Sequence, residues 1–280
     1  MLAMFEMKRV NVYRGTQHVL HDIDLKILPG RFTALIGPNG SGKSTLLGSM
    51  ANTVAIQSGH VALGSKQLVS YSRRELARQM AFLPQHVHTP VGMSVRELLA
   101  QGRFPWRSWL GGWSSEDEDA VSRAVALCGI EQLIDRPLQS LSGGQLQRAW
   151  IAMTLVQDTP VILLDEPTTF LDVANQLSLL DLLSVLRDAG RTVVAILHDL
   201  NQAARYADQL VMLKDGRVVA EGATQQVFNV PNIDNVFSVR SRMLDDPETE
   251  LQCALLLPGV KGASFVSLSA FFSVFALLCC

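Results

Sequence analysis

The sequence predicts an α/β protein whose mostly parallel sheet is interrupted by a helical insert. Three short apolar runs support that prediction: RFTALI at residues 31–36, VILLD at 161–165 and TVVAILH at 192–198. Unbroken apolar runs of this length are typical of strands covered on both faces, as in parallel sheets. Helical patterns lie between these runs, and this alternation of strands and helices favours a doubly wound core.

Each element of the predicted core has its own local signal. The first run ends at Gly37, and the segment STLLGSMA shortly after it has a helical pattern. A longer helix is predicted over NQLSLLDLLSVLRDAG, because leucines recur at helical spacing and Gly190 supplies a stop. The segment QLVMLKDGRVVAEG predicts a hairpin with Asp215 and Gly216 at its turn.

The insert contains helix signals and no clear strand. Ser94 with Glu97, and Ser115 with Glu118, have the spacing of capping boxes, and the second of these helices stops at Gly129. A third helix is predicted over SGGQLQRAWIAMTLV. The resulting division of the chain is a core of residues 1–86 and 159–250, a helical insert of residues 87–158, and an apolar tail of residues 251–280.

Composition limits the classes of function. The chain has 280 residues, of which 48% are hydrophobic and 18% charged, and its net charge is -2. This is a globular profile without the basic excess that indicates a nucleic-acid partner. The four cysteines lack metal-binding spacing, which favours a reduced compartment. Glu6, Lys8 and Arg9 come too early for a secretory signal, so none is expected.

The motif GPNGSGKST, which follows the first predicted strand, indicates a phosphate-binding loop. Its glycines let backbone N–H groups wrap an anion, Lys43 can reach terminal phosphates, and the hydroxyl of Ser44 can bind Mg²⁺. A plain glycine turn is the alternative, but the strand before the motif and the helix after it favour the phosphate site. The predicted nucleotide-binding residues are Gly37, Pro38, Asn39, Gly40, Ser41, Gly42, Lys43, Ser44 and Thr45.

Two adjacent acids end the predicted strand VILLD. Asp165 is placed to hold Mg²⁺ through water, and Glu166 to polarise an attacking water. Phosphoryl transfer requires such positioning and charge from the protein. A solvated turn is the alternative interpretation of the two acids.

A second glycine-containing motif, LSGGQ, lies at the start of the third insert helix. Ser142 and Gln145 have capping-box spacing, which does not explain Gly143 and Gly144. Glycine within a helix costs roughly 1 kcal/mol relative to alanine. Its lack of a side chain lets a ligand approach the positive end of the helix. Because one triphosphate is already expected at the first loop, this helix end is predicted to meet a nucleotide held by another copy of the chain.

These motifs together resemble the ATP-binding subunits of ABC transporters. The resemblance rests on Walker A GPNGSGKST, the signature LSGGQ, Walker B VILLDEP, and then FLD and LHD, in the order typical of that family. It implies a P-loop NTPase core with an antiparallel β portion and an inserted helical subdomain. It further implies a head-to-tail homodimer, with each of two ATP molecules between one chain's Walker A and the other chain's signature.

The resemblance implies roles for further residues. Tyr13 would stack on adenine, and Gln85 would be the Q-loop residue that contacts Mg²⁺ or water. Asp172 would be the D-loop acid, and His198 the switch histidine that contacts the γ-phosphate. The implied catalytic residues are therefore Glu166, His198 and Gln85, and the implied Mg²⁺ ligands are Ser44, Gln85 and Asp165. A structural role is the alternative for Tyr13, Gln85 and His198.

Finer similarity narrows the expected cargo. The segments EPTTFLD, QRAWIAM and GRFPWR, and DDP at residues 245–247, are similar to the branch that imports iron(III)-siderophores. The expected partners are transmembrane permease subunits and, indirectly, a substrate-binding protein. The expected location is peripheral, on the cytoplasmic face of the inner membrane. The alternatives are a haem or cobalamin importer, a non-transport ABC ATPase, and a module that senses ATP without turnover.

Two segments are left with more than one interpretation. GRFPWRSWLGGW contains Trp106, Trp109 and Trp113, and would either dock a permease helix or form a small core within the insert. Residues 263–280 are uncharged and almost wholly apolar, beyond the end of the family pattern. We interpret them as a non-functional extension, with a membrane anchor and a packed element as the alternatives.

Overall fold

A six-stranded sheet lies at the centre of the structure, a computed structural model that describes residues 4–107, 112–245 and 252–257. Neighbouring strands follow the order β10, β9, β3, β8, β7, β6, and only the β9–β10 pair is antiparallel among them. The strands of this sheet are β3 (Phe32–Ile36), β6 (Met80–Leu83), β7 (Val161–Leu164), β8 (Thr192–Ile196), β9 (Gln209–Lys214) and β10 (Arg217–Ala223).

The three predicted apolar runs are the central strands of this sheet. Every residue of β3, β7 and β8 is buried, because helices and a second sheet cover the two faces. The hairpin of β9 and β10 turns at Asp215 and Gly216, which confirms that prediction. The amide of Gly216 donates to the carbonyl of Ser41 at 3.1 Å, so the turn contacts the predicted phosphate loop.

A second sheet is antiparallel and covers one face of the first. Its strands follow the order β2, β1, β4, β5. One hydrophobic core lies between this sheet, α1 and the central strands, and a second core lies on the opposite face. The strands are β1 (Phe5–Arg14), β2 (Gln17–Ile27), β4 (Ser58–Leu63) and β5 (Lys66–Gln67).

The helices bracket the sheets and fill the insert. Between residues 87 and 158 the described part of the chain contains three α-helices and no strand. The α-helices are α1 (Lys43–Met50), α2 (Arg73–Gln79), α3 (Val95–Gly102), α4 (Ser115–Cys128), α5 (Gly143–Val156), α6 (Val173–Asp188), α7 (Leu200–Tyr206), α8 (Thr224–Val227) and α9 (Val230–Phe237).

Capping boxes begin all three insert helices, but one differs from the prediction. Ser94 and Ser142 cap α3 and α5 as expected. The box predicted from Ser115 and Glu118 is wrong by one residue, since Ser114 caps α4 with Asp117. The carboxylate of Asp117 also accepts from the Arg103 Nε at 2.7 Å in a buried ion pair. This additional contact favours the register that directs Asp117 inward.

A two-stranded antiparallel sheet ends the described chain. It pairs β11 (Arg240–Asp245) with β12 (Gln252–Leu257), and the side chain of Asn201 in α7 accepts from the amide of Ala254 at 2.8 Å. The structure therefore places residues 252–257, which the sequence assigned to the tail, against the core. Residues 258–280 lie outside the described residues, as does Trp109. Within the described residues, none of the helices has the length and apolar character needed to cross a bilayer.

Candidate functional site

The glycine-rich loop joins β3 to α1. At two positions its backbone conformation and close packing permit only glycine. Gly37 has φ 150°, and a Cβ there would lie 2.1 Å from the carbonyl oxygen of Leu213 on β9. Gly42, which begins α1, has φ 100°, and its Cβ would lie 2.8 Å from the Cδ2 of Leu20. Close backbone packing and positive φ together exclude larger residues. The loop is thus held between the two sheets with its amides around the start of a helix, where anions bind.

Lys43 is the first residue of α1, with only 5% of its surface exposed. Its Nζ donates to the carbonyls of Gly37 at 2.8 Å and Pro38 at 2.9 Å. Burial lowers the pKa of Lys43, while the nearby charges of Glu166 and Asp165 act in the opposite direction. The partners of the ammonium group are neutral carbonyls. A bound phosphate chain would offer it charged oxygens, which form stronger hydrogen bonds.

Ser44 and Asp165 meet at the carboxyl end of β7. The hydroxyl of Ser44 donates to Oδ1 of Asp165 at 3.1 Å. Burial raises the pKa of Asp165, and the hydrogen bond from Ser44 partly offsets this effect. A hydroxyl oxygen beside a carboxylate is a donor set that suits Mg²⁺, which prefers oxygen ligands completed by water and phosphate. These residues therefore fit the metal that the sequence predicts.

Two predicted site residues, Gln85 and His198, both contact the carboxylate of Glu166. Its Oε2 accepts from the Nε2 of Gln85 at 2.7 Å, and lies 2.8 Å from the Nε2 of His198. The hydroxyl of Thr169 donates to the same oxygen at 3.3 Å. Gln85, Glu166 and His198 follow the neighbouring parallel strands β6, β7 and β8, so their convergence results from the strand order. Such edges are where α/β sheets bind ligands.

An open cleft of about 380 Å³ lies along the loop. Gln85 and Glu166 line it together with most of the predicted loop residues. Arg14 and Gln17 also line it, at the turn between β1 and β2, and sequence reasoning missed both. Their only signal was proximity to Tyr13 in the chain. The predicted loop residues that line the cleft are Asn39, Gly40, Gly42, Lys43, Ser44 and Thr45.

Tyr13 lies beside the cleft and is not part of its lining. Its ring stacks on that of His18 with centroids 4.1 Å apart and an interplanar angle of 7°. The Nε2 of His18 is 2.9 Å from the Oδ1 of Asn11, which holds the imidazole in place. The tyrosine side chain nevertheless remains 42% exposed, so part of its surface is available to a ligand.

The Ser142 helix end lies apart from the cleft of its own chain. Ser142 and Gln145 form the reciprocal capping box that the spacing predicts. Neither Gly143 nor Gly144 has a positive φ. A Cβ at Gly143 would meet its nearest neighbour at 3.9 Å, and one at Gly144 at 3.4 Å. Packing within the chain therefore does not require glycine at either position.

Asp172 caps α6 and is likewise absent from the lining of the cleft. Its Oδ1 accepts from the amide of Asn175 at 2.8 Å, and its side chain is exposed. The single chain therefore gathers the Walker-type residues, Gln85 and His198 at one edge. It leaves the Ser142 helix end and Asp172 outside that edge.

Comparisons with known proteins agree with this geometry. Residues 20–169 match the family model described as ABC transporter. The chain is 45% identical over 247 residues to the ferric enterobactin transport ATP-binding protein of Escherichia coli strain K12, covering 88% of this chain and 91% of that protein. It is 43% identical over 248 residues to a petrobactin import ATP-binding protein of Bacillus anthracis, with coverages of 88% and 91%.

The fold is similar to that of a solved dimeric ATP-binding cassette bound to ADP and Pi, in a post-hydrolysis state. The TM-score is 0.70 and the sequence identity 28%, and the match covers 79% of this chain and 99% of the cassette chain.

Proposed function

The chain belongs to the ABC transporter family, and from this we propose that it is the ATP hydrolase that powers import of an iron(III)-siderophore through a separate permease. The family match and the two ATP-binding relatives support the first part of this statement. The observation that carries the chemistry is the meeting of Gln85 and His198 on one carboxylate oxygen of Glu166.

Binding of ATP is assigned to the glycine loop. Amides of the loop and the ammonium group of Lys43 hold the phosphates, because both present positive charge to the same cleft. Ser44, Asp165 and Gln85 are the residues that would hold Mg²⁺. When bound there, the ion would neutralise part of the phosphate charge.

Hydrolysis is assigned to the carboxylate of Glu166. It accepts a proton from the attacking water as general base, and Gln85 beside it orients that water. His198 contacts Glu166 from the next strand and is positioned to direct a hydrogen bond at the γ-phosphate. These three side chains would together accept a proton, orient the attacking water and contact the γ-phosphate. Such positioning and charge are what phosphoryl transfer requires from the protein.

The functional unit we propose is a homodimer. Gly143 and Gly144 leave the amides at the start of α5 uncovered although nothing within the chain demands glycine there. A phosphate from a nucleotide on a second copy would fit that helix end. The Ser142 end of one chain thus completes the cleft of the other, and the solved cassette with the same fold is also dimeric.

The cargo is proposed from the relatives. Their names specify ferric enterobactin and petrobactin, so a ferric siderophore is the class we propose for this chain. In this proposal the chain is peripheral on the cytoplasmic face of the inner membrane. It binds permease subunits directly and a substrate-binding protein only through them.

The test is uptake of labelled ferric siderophores in a strain that lacks this chain. We expect uptake of at least one siderophore to be lost, and to return with the wild-type chain but not with Glu166→Gln. Amino-acid and sugar uptake serve as controls and should remain normal. Normal siderophore uptake with loss of haem or cobalamin uptake would replace this cargo, and normal uptake of every compound would refute the import function.

A further inference from the structure

Two glutamine side chains hold the backbone of the loop at residues 167–171. The Nε2 of Gln147, in the second turn of α5, donates to the carbonyl of Pro167 at 3.1 Å. The Nε2 of Gln176, in the first turn of α6, donates to the carbonyls of Leu171 at 3.1 Å and Thr168 at 3.4 Å. Both glutamines are half-buried. Side chains from two different helices therefore fix both ends of a five-residue loop.

A third glutamine connects this arrangement to α7. The Nε2 of Gln202 donates to the Oε1 of Gln176 at 3.1 Å, and the amide of Gln202 donates to Oδ1 of Asp199 at 2.8 Å. Asp199 directly follows His198 in the chain. The loop is thereby linked to α5, which starts at the Ser142 end, and to the helix that starts after His198.

The loop needs such support because its backbone is strained at two places. Glu166, which precedes the loop, has φ 53°, and Phe170 within it has φ 68°. Residues other than glycine adopt this region only when their surroundings hold them there. Phe170 is 74% exposed, so packing of its own side chain does not supply that support. Backbone hydrogen bonds supply part of it, from the amide of Thr169 to the carbonyl of Glu166 and from that of Leu171 to Thr168. The carbonyl contacts from Gln147 and Gln176 add side-chain support from two helices.

Building on the proposed ATPase function, we propose that Gln147 and Gln176 are positioning residues for the general base. By holding the 167–171 loop, they keep Glu166 in place beside Gln85 and His198. They also connect the loop to α5, which starts at the Ser142 helix end, and to α7. Misplacing a catalytic group by about 1 Å costs on the order of 100-fold in rate. The glutamines should therefore affect turnover while leaving the binding of ATP nearly unchanged.

Two substitutions at position 176 separate the hydrogen bonds to the loop carbonyls from the hydrogen bond with Gln202. Gln176→Lys keeps a donor for the two carbonyls but loses the oxygen that accepts from Gln202. Gln176→Glu keeps that acceptor and puts a carboxylate against the two carbonyls. We expect Gln176→Glu to lower kcat about 10- to 100-fold with KM for ATP within about 2-fold of wild type. Gln176→Lys should keep most of the wild-type kcat. Steady-state phosphate release by the full chain measures both constants, with Gln101→Glu, at an exposed position of α3, as the charge control.

Position 147 provides a second test if Gln176→Glu does not fold. Gln147→Met keeps the length of the side chain and removes its hydrogen bond to the carbonyl of Pro167. We therefore expect kcat to fall several-fold and the melting temperature to change little. Unchanged kcat in both Gln176→Glu and Gln147→Met would overturn the proposal. Equal losses of kcat in Gln176→Lys and Gln176→Glu would also overturn the proposal, as would a rise in KM for ATP without a fall in kcat. A wild-type chain without turnover would instead refute the proposed function, which keeps the two failures distinct.

Discussion

The Nε2 of His198 lies 2.8 Å from the Oε2 of Glu166, although 32 positions of sequence separate the two residues. The contact arises because β7 and β8 are adjacent and parallel, so the residues that follow them meet at one edge. The side chain proposed as general base and the one proposed to contact the γ-phosphate are thus held together by the fold.

Removing the general base should separate ATP binding from hydrolysis. We expect Glu166→Gln to bind ATP but to lose about 10²- to 10⁴-fold in turnover, the usual effect of losing a general base. The ATP-bound dimer should then accumulate, since hydrolysis no longer opens it. Phosphate release and size-exclusion chromatography with ATP measure the two effects, and Glu131→Gln, at an exposed position, is the matched control. Near-normal phosphate release would show that Glu166 is not the base.

If the Ser142 end completes the cleft of a second copy, activity should require two chains. Specific activity of dilute protein should then rise with protein concentration. Chains with Lys43→Ala and chains with Ser142→Arg should each be inactive, yet a mixture of them should regain part of the activity, because one composite site in the heterodimer is intact. Constant specific activity and no recovery on mixing would indicate a site contained in one chain.

The buried carboxyl of Asp165 should destabilise the nucleotide-free protein as pH rises. Burial raises its pKa, so the folded state binds the proton more tightly than the unfolded state does. The contribution of Asp165 to the free energy of unfolding is therefore highest in acid. It falls as pH rises from about 3.9, the pKa of the unfolded state, through the higher pKa of the folded state. Asp165→Asn stays neutral, and its melting temperature should exceed that of wild type by an amount that grows with pH.

The dependence of the melting temperature on pH tests this prediction. Thermal unfolding without nucleotide at about pH 5 and about pH 8 provides the comparison. The same variant should lose Mg²⁺-dependent turnover, since a neutral amide is a weaker ligand. A stability difference that shrinks as pH rises would contradict the assignment.

The exposed ring of Tyr13 should contribute to binding of the base. Stacking of a base on an aromatic ring is worth about 1–3 kcal/mol by alanine substitution. Tyr13→Ala should therefore raise KM for ATP about tenfold or more with a smaller effect on kcat, while Tyr13→Phe should behave like wild type. Steady-state kinetics with ATP and with GTP test this, because a stacking platform discriminates weakly between purines. An unchanged KM in Tyr13→Ala would assign the ring to stacking on His18 alone.

Local patterns predicted the central strands and the helices of the insert. Gly37, Lys43 and Asp165 lie in motifs for which a phosphate site and a plain or solvated turn were both open, and the structure places all three at the same sheet edge. The antiparallel sheet, in contrast, followed only from family resemblance. Its alternation is broken by register shifts between Met7 and Val12, which hide the period of two.

Other features depend on tertiary contacts that no spacing encodes. Ser114 and Ser115 have equally good acidic partners three residues on, and the contact of Asp117 with Arg103 decides between them. The contacts of Gln147 and Gln176 with loop carbonyls join residues from separate helices, so they have no sequence signature. Arg14 and Gln17 belong to the cleft only because the turn between β1 and β2 projects over the loop.

The turn at Asp215 and Gly216 has a further consequence. Hairpin tips usually tolerate insertions, but a Cβ on Gly216 would lie 2.2 Å from the carbonyl of Val19, and its amide is bonded to Ser41. Lengthening this tip would therefore displace the loop that we propose to hold the triphosphate. A tag or a permuted terminus introduced there should abolish ATP turnover, although the turn itself is not expected to contact the substrate.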